Sequence, residues 1–161
     1  MSFISDTKNT NRIAGILGTR HLLTETEYKE RFAEQQDNED GSMSMLVDQC
    51  AFVEKKVTIK MPELFKPKKT ADMVMLGVHS DYRGKNIANN LVRLSLQAIK
   101  AAGYTYASLF ATSHFSSRVS EKNGFTSIYE LDVRNWLWKG EKVLQKMREP
   151  HGYYKYWVKN A

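Results

Sequence analysis

An α/β fold, a mixed β-sheet with flanking helices, is what the sequence predicts, and three observations predict it. An apolar run over Met73–His79 stops at a turn through Ser80–Gly84, and beyond Asn86 the apolar residues return at helical rather than strand spacing. That helical stretch ends at Gly103 and a second apolar run follows, Tyr104–Ala111. Strand, long helix and strand make a crossover, which requires parallel pairing and a right-handed connection. Near the N-terminus, turn-forming Asn9 and Asn11 sit between two apolar segments and suggest a β-hairpin, so the sheet also has antiparallel members.

The elements follow in order. Phe3 and Ile4 belong to a short apolar segment, K-N-T-N supplies the turn, and Ile13–Gly18 is the second strand. Thr24–Gln36 reads as a helix, because Thr24 and Glu27 have capping-box spacing and Tyr28 and Phe32 lie four apart. The acidic stretch D-N-E-D-G-S-M-S, Asp37–Ser44, breaks it as a surface loop without the spacing of a calcium loop. Leu46–Lys56 reads as a second helix with Leu46, Val47, Cys50 and Val53 on one stripe, and Met61–Thr70, which holds Pro62 and Pro67, as loop. The strongest helix is Asn86–Ala102, where Ile87, Leu91, Leu94 and Ala98 form a stripe widened by Ala88, Val92 and Ile99. Ser113–Asn123 is a short helix with Ser113 as its N-cap and Asn123-Gly124 as its end. Phe125–Val133 and Tyr153–Lys159 are strands, and Trp136–Lys146 fits either class.

Composition bounds the rest. With 161 residues, 42% hydrophobic and 26% charged, the chain is expected to form one domain over 1–161, in which 21–70 is a helical insertion and loop before the central strand. Cys50 is the single cysteine, and M-S-F-I-S-D-T-K lacks both a signal-peptide core and a spanning segment, so a cytoplasmic protein without membrane contact is expected. The formal charge of +6 favours anionic partners in general. Nucleic acid is one such class, with Lys55, Lys56, Lys60, Lys66, Lys68 and Lys69 as a patch and the C-terminal tyrosines as stacking groups. A tyrosine-rich strand is nonetheless the ordinary composition of a sheet. No metal is expected, since Cys50 stands alone and His21, His79, His114 and His151 lack ligand spacing.

The turn after the central strand carries the sharper signal. Unpaired N–H groups of a helical first turn, the positive end of the helix dipole, and Arg83 and Lys85 beside them make an anion site suited to phosphate. Neither a Walker loop nor G-x-G-x-x-G occurs there. The run V-H-S-D-Y-R-G-K-N-I-A, Val78–Ala88, resembles instead the acetyl-coenzyme A motif of the GCN5-related N-acetyltransferase (GNAT) family, Q/R-x-x-G-x-G/A. In that register Arg83 takes the first position, Asn86 the glycine position and Ala88 the last. S-H-F-S-S-R-V-S-E-K-N-G-F, Ser113–Phe125, is similar to the family's second helix, which ends in E-K-x-G-F, and the N-terminal hairpin looks like its second and third strands. The helical insertion, the serine-rich helix and Pro150-His151 look most like the invertebrate arylalkylamine N-acetyltransferase group.

The resemblance implies a GNAT-like sheet that is N-terminally shortened. The family's first strand and two helices, which wall the amine site and in the arylalkylamine group carry a glutamate base, have no counterpart before the hairpin. It further implies acetyl-coenzyme A as donor and a small primary amine as acceptor, with direct transfer in a ternary complex. The backbone of Leu76, Gly77 and Val78 would pair with the pantetheine arm, and N–H groups of Arg83, Gly84, Lys85, Asn86, Ile87 and Ala88 would hold the pyrophosphate. Ser113 and Ser117 would contact the cofactor, although helix capping alone explains Ser113 equally well.

For catalysis, Thr112 and Ser116 stand where the arylalkylamine group has paired serines, and Ser120 where other branches place a tyrosine acid. A serine hydroxyl is a poor acid, so Ser116 would work through a hydrogen-bonded relay. His114 is the histidine on the cofactor side, and a plain helix-surface position also explains it. Asn86 puts a side chain where glycine lets phosphate approach the backbone, yet asparagine tolerates the left-handed conformation such a turn needs. The competing class is a non-catalytic cofactor-binding or partner-binding module, motivated by the missing N-terminal elements.

Overall fold

The computed structural model describes residues 2–6, 12–23, 26, 27, 30 and 41–161. The turn expected at Asn9 and Asn11, most of the helix expected over 24–36 and the acidic stretch 37–40 lie outside the described residues, although Thr26, Glu27 and Glu30 are helical.

The described strands form a six-stranded mixed sheet in the order β1-β2-β3-β4-β6-β5. The strands are β1 (Ser2–Asp6), β2 (Ile13–His21), β3 (Thr70–Val78), β4 (Tyr106–Ala111), β5 (Thr126–Asp132) and β6 (Tyr153–Asn160). The α-helices that lie wholly within the described residues are α1 (Ser42–Lys60), α2 (Ile87–Ala101) and α3 (His114–Lys122). β3 and β4 pair in parallel, as the crossover through α2 requires, and the remaining pairs are antiparallel.

One face of the sheet is covered by α2. Leu17, Ala71, Met73, Ala107, Leu109 and Trp157 point to it and meet Leu91, Val92 and Ile99. The other face is covered by α1 and by the long connection from β5 to β6, with Val53 and Val57 packed against Tyr156, Val158, Leu131, Val133 and Trp136. Because β4 is sandwiched between these layers, it reads as a nearly continuous apolar run, interrupted by Ser108, rather than an alternating one. Trp138 Nε1 donates to Asp48 Oδ2 at 2.9 Å and fastens the connection to α1.

Two helices differ from their sequence reading. α2 buries Leu91, Val92, Ser95 and Ile99, while Leu94 stays 43% exposed, so its inner face is rotated away from the expected stripe. Ser95 can lie fully buried because its hydroxyl shares a 2.7 Å hydrogen bond with Thr19 Oγ1 of β2, which satisfies a polar group that periodicity assigns to solvent. α1 begins at Ser42, inside the expected loop, and buries the polar residues Gln49 and Glu54 besides Val47, Ala51, Val53 and Val57. Trp136–Lys146 is neither helix nor strand, apart from an isolated backbone pairing of Trp138 with Glu141.

β3 is deformed where function would need it. Its pairing with β2 slips between Ile16 and Gly18, and Met75, at φ 57°, is the extra residue of a bulge that leaves its side chain 77% exposed. Pairing with β4 runs only from Thr70↔Tyr106 to Met73↔Leu109, although both strands continue. The two strands therefore part beyond Met73, and among the described residues the β4-facing backbone groups of the bulged segment have no strand partner.

Candidate active site

The turn expected to cradle an anion lies between β3 and α2. A 3-10 turn over Ser80–Tyr82 leads out of β3, Gly84 takes φ 76° with open space around it, and Asn86 sits in the left-handed region at φ 61°, ψ 14°. Asparagine bears that conformation at modest cost, and its Oδ1 accepts a 2.6 Å hydrogen bond from Asn89 Nδ2. The Asn86 carbonyl accepts from Asn90 N, so the helix starts there with the N–H groups of Ile87, Ala88 and Asn89 left over. Arg83 and Lys85 are exposed at the same turn, the Lys85 ammonium 5.1 Å from the centre of the Tyr82 ring. Open backbone, a dipole end and two cations suit a diphosphate. Asn123 Nδ2 donates to Asn89 Oδ1 at 3.0 Å, which ties the end of α3 to this first turn.

Where β3 and β4 part, a cavity of about 370 Å³ opens between the sheet and α1. Met73–Leu76 line it from β3, Leu109 and Phe110 from β4, Leu46, Cys50 and Val53 from α1, and Thr112, Ser113 and Ser116 from the start of α3. Ser113 caps α3 by accepting from Ser116 N at 3.1 Å, and the two hydroxyls lie 2.9 Å apart. Ser116 Oγ also donates to the Ser113 carbonyl at 3.0 Å. Thr112, Ser113 and Ser116 thus meet in one cavity at the positive end of a helix.

Its floor is a row of polar side chains that crosses four strands: Arg20 on β2, Asp72 on β3, Ser108 on β4 and Tyr156 on β6. Cross-strand register sets the first three opposite one another, since Arg20 pairs with Asp72 and Asp72 with Ser108. Ser108 Oγ donates to Asp72 Oδ1 at 2.9 Å and Arg20 NH2 to Asp72 Oδ2 at 3.5 Å. Burial raises the Asp72 carboxyl to about 6 against the pull of Arg20 and Ser108, so it gains and loses a proton near neutral pH. Tyr156 is 1% exposed, and its phenol is held well above the ordinary tyrosine range by burial, then by the charge of Asp72. Glu54 reaches the same floor from α1.

Periodicity and motifs single out none of Arg20, Asp72 and Ser108, and mark Tyr156 only as a strand residue and one of the C-terminal tyrosines. A signal existed at Asp72, a carboxylate between Ala71 and Met73 in a strand that is apolar on both sides, which is costly unless the group is partnered or used.

The other expected residues are placed as follows. Leu76, Gly77 and Val78 form the end of β3 that runs from the cavity into the cradle. Ser117 is buried on α3 with its hydroxyl unpartnered. Ser120 is fully buried, donates to the Ser116 carbonyl at 3.0 Å and does not line the cavity. His114 meets His151 through its backbone N–H, which donates to His151 Nδ1 at 3.4 Å. On the nucleic-acid reading, Tyr156 is sealed in the interior and offers no face to a base, while Lys56 and Lys60 lie over the rings of Phe52 and Tyr129. No helix of the described residues is long and apolar enough to cross a membrane.

No family model matches the chain. Solved structures do. An arylalkylamine N-acetyltransferase like 5b from a mosquito superposes with a TM-score of 0.82 at 20% identity, over 99% of this chain and 74% of that one. A polyamine N-acetyltransferase of Drosophila melanogaster, described as forming N-acetylagmatine, gives 0.76 at 20% identity, again over 99% and 74%. Arylalkylamine N-acetyltransferase 2 from Aedes aegypti gives 0.74 at 26% identity, over 99% and 72%. This chain has the GCN5-related N-acetyltransferase fold, over about three-quarters of the length of the insect enzymes it matches.

Proposed function

We propose that the protein transfers the acetyl group of acetyl-coenzyme A to a small primary amine of the arylalkylamine kind, directly and within a ternary complex. One observation carries this reading. The cavity opens where β3 leaves β4, β3 continues from it into the anion cradle, and a carboxyl that titrates near neutral pH lies on its floor. Bound there, acetyl-coenzyme A supplies the acetyl group as an activated thioester. The fit rests on the open N–H groups of Ile87–Asn89, on Arg83 and Lys85, and on the unpaired β4-facing edge of Leu76–Val78.

An amine arrives protonated and must lose a proton to become a nucleophile. Asp72 is the group suited to accept it. Its carboxylate forms above about pH 6, and Ser108 and Arg20 fix its orientation. At the other side of the cavity, the N-terminus of α3 and the Ser113–Ser116 hydroxyl pair face whatever negative charge develops. Ser116 is the hydroxyl placed to give a proton to the departing sulfur, and Ser113 Oγ, 2.9 Å away, to return one to it. Thr112 lines the same wall, and Ser120 supports Ser116 from below.

Calorimetry with acetyl-coenzyme A and a thiol-release assay over a panel of arylalkylamines test the proposal together. Saturable binding and amine-dependent release of thiol are expected. Absence of binding at millimolar cofactor refutes it, and binding without turnover leaves a cofactor-binding module. Asn86→Gly is expected to tighten acetyl-coenzyme A several-fold with little change in melting temperature. Glycine adopts the φ of 61° without cost and removes the one side chain at the approach of phosphate to backbone.

A further inference from the structure

Tyr156 is the deepest polar group of the cavity. It is 1% exposed, its ring stacks on Phe110 at 6.4 Å, and its hydroxyl lies beside Ser108 without a hydrogen bond of ordinary geometry. Ser108 gives its own proton to Asp72. A buried phenol left without a partner disfavours the folded state, and a fold retains such a group when a ligand satisfies it. Two carboxylates, Asp72 and Glu54, act electrostatically on this phenol against one guanidinium, Arg20, so the field around it favours a cation.

We propose that Tyr156 holds the reacting amine: its phenol oxygen accepts one N–H of the ammonium while Asp72 takes another. The inference rests on the transferase reading for the identity of the ligand. Its geometric basis is the floor itself, where phenol and carboxylate flank Ser108 on the same face of the sheet. A secondary ammonium still offers the two N–H groups that phenol and carboxylate need, and differs only in the methyl group it brings against a wall closed by Phe110 and Val53. Tyr156→Phe removes the oxygen and keeps the ring.

The test uses phenylethylamine and N-methylphenylethylamine as probes, with the full chain and no acetyl-coenzyme A present. Calorimetry is expected to show phenylethylamine binding to the wild type, weakened about tenfold in Tyr156→Phe. The N-methyl amine, which presents two N–H groups to the same pair, is expected to be weakened by a similar factor. Thermal melting of the variant is expected to match or exceed the wild type, since the hydroxyl has no structural partner to lose. Unchanged amine affinity in Tyr156→Phe overturns the proposal, as does a lower melting temperature with unaltered amine binding. A wild type that binds neither amine also overturns it. A wild type that binds phenylethylamine but not acetyl-coenzyme A refutes the transferase reading alone.

Discussion

Asp72→Asn is expected to lower kcat/KM for acetyl transfer by about 10²–10⁴-fold, the range for removal of a positioned general base, while leaving the protein as stable as the wild type at neutral pH. The two effects separate because of the direction of the pKa shift. The folded Asp72 titrates at about 6 and the ordinary carboxyl at 3.8, so the folded state binds its proton more tightly than the unfolded state. Holding the ionised carboxylate in the interior therefore weakens the fold above about pH 6, and this penalty vanishes below about pH 4. Over that interval it amounts to about 3 kcal/mol. Asparagine escapes the penalty but leaves the Arg20 guanidinium without its carboxylate, which offsets much of the gain. Melting curves at pH 4 and 7.5 should show the variant at its relative best at the higher pH. In the wild type, kcat/KM should rise with pH through a limb near 6, and that limb should be absent in the variant. A variant retaining full activity, or an unshifted limb, removes Asp72 from the mechanism.

Gly15→Val is expected to damage stability and cofactor affinity together. A Cβ at Gly15 stands 3.0 Å from the Gly77 carbonyl oxygen, 3.0 Å from Ile87 Cγ2 and 3.3 Å from Leu91 Cδ1. The first of these is backbone of β3 and cannot move aside alone. The second belongs to the first residue of α2, the helix whose N-terminus forms the anion cradle. Overpacking of this kind costs about 2 kcal/mol, which corresponds to a fall of roughly 4–8 °C in Tm for a chain of this length. Relief by displacement of Ile87 carries the cradle with it, so acetyl-coenzyme A should bind more weakly in calorimetry at a temperature where the variant is still folded. Loss of stability with unchanged cofactor affinity would show that the cradle is set by the turn itself and not by packing of α2 on β2.

Much of this architecture is legible from short-range features. The turn that carries Arg83, Lys85 and Asn86, the Ser113 cap and the glycines at 103 and 124 act over a few residues each, and every one appears where spacing places it. Helix faces were harder. The apolar stripe of α2 was misaligned because Ser95 counts as polar in any periodicity and is buried only through Thr19 of a distant strand. Gln49 and Glu54 on α1 are likewise polar residues that periodicity assigns to solvent and the fold buries.

The sequence by itself determined the fold class, the parallel crossover and the turn geometry at Arg83–Asn86, because these depend on backbone preferences and on neighbours close in the chain. Tertiary structure alone decided the reactive floor. Arg20, Asp72, Ser108 and Tyr156 lie far apart in sequence, and nothing but strand order and register sets them side by side. Burial of that row is also what moves the Asp72 carboxyl to about 6, since the loss of water around a charge depends on what covers it: here α1 and the β5–β6 connection.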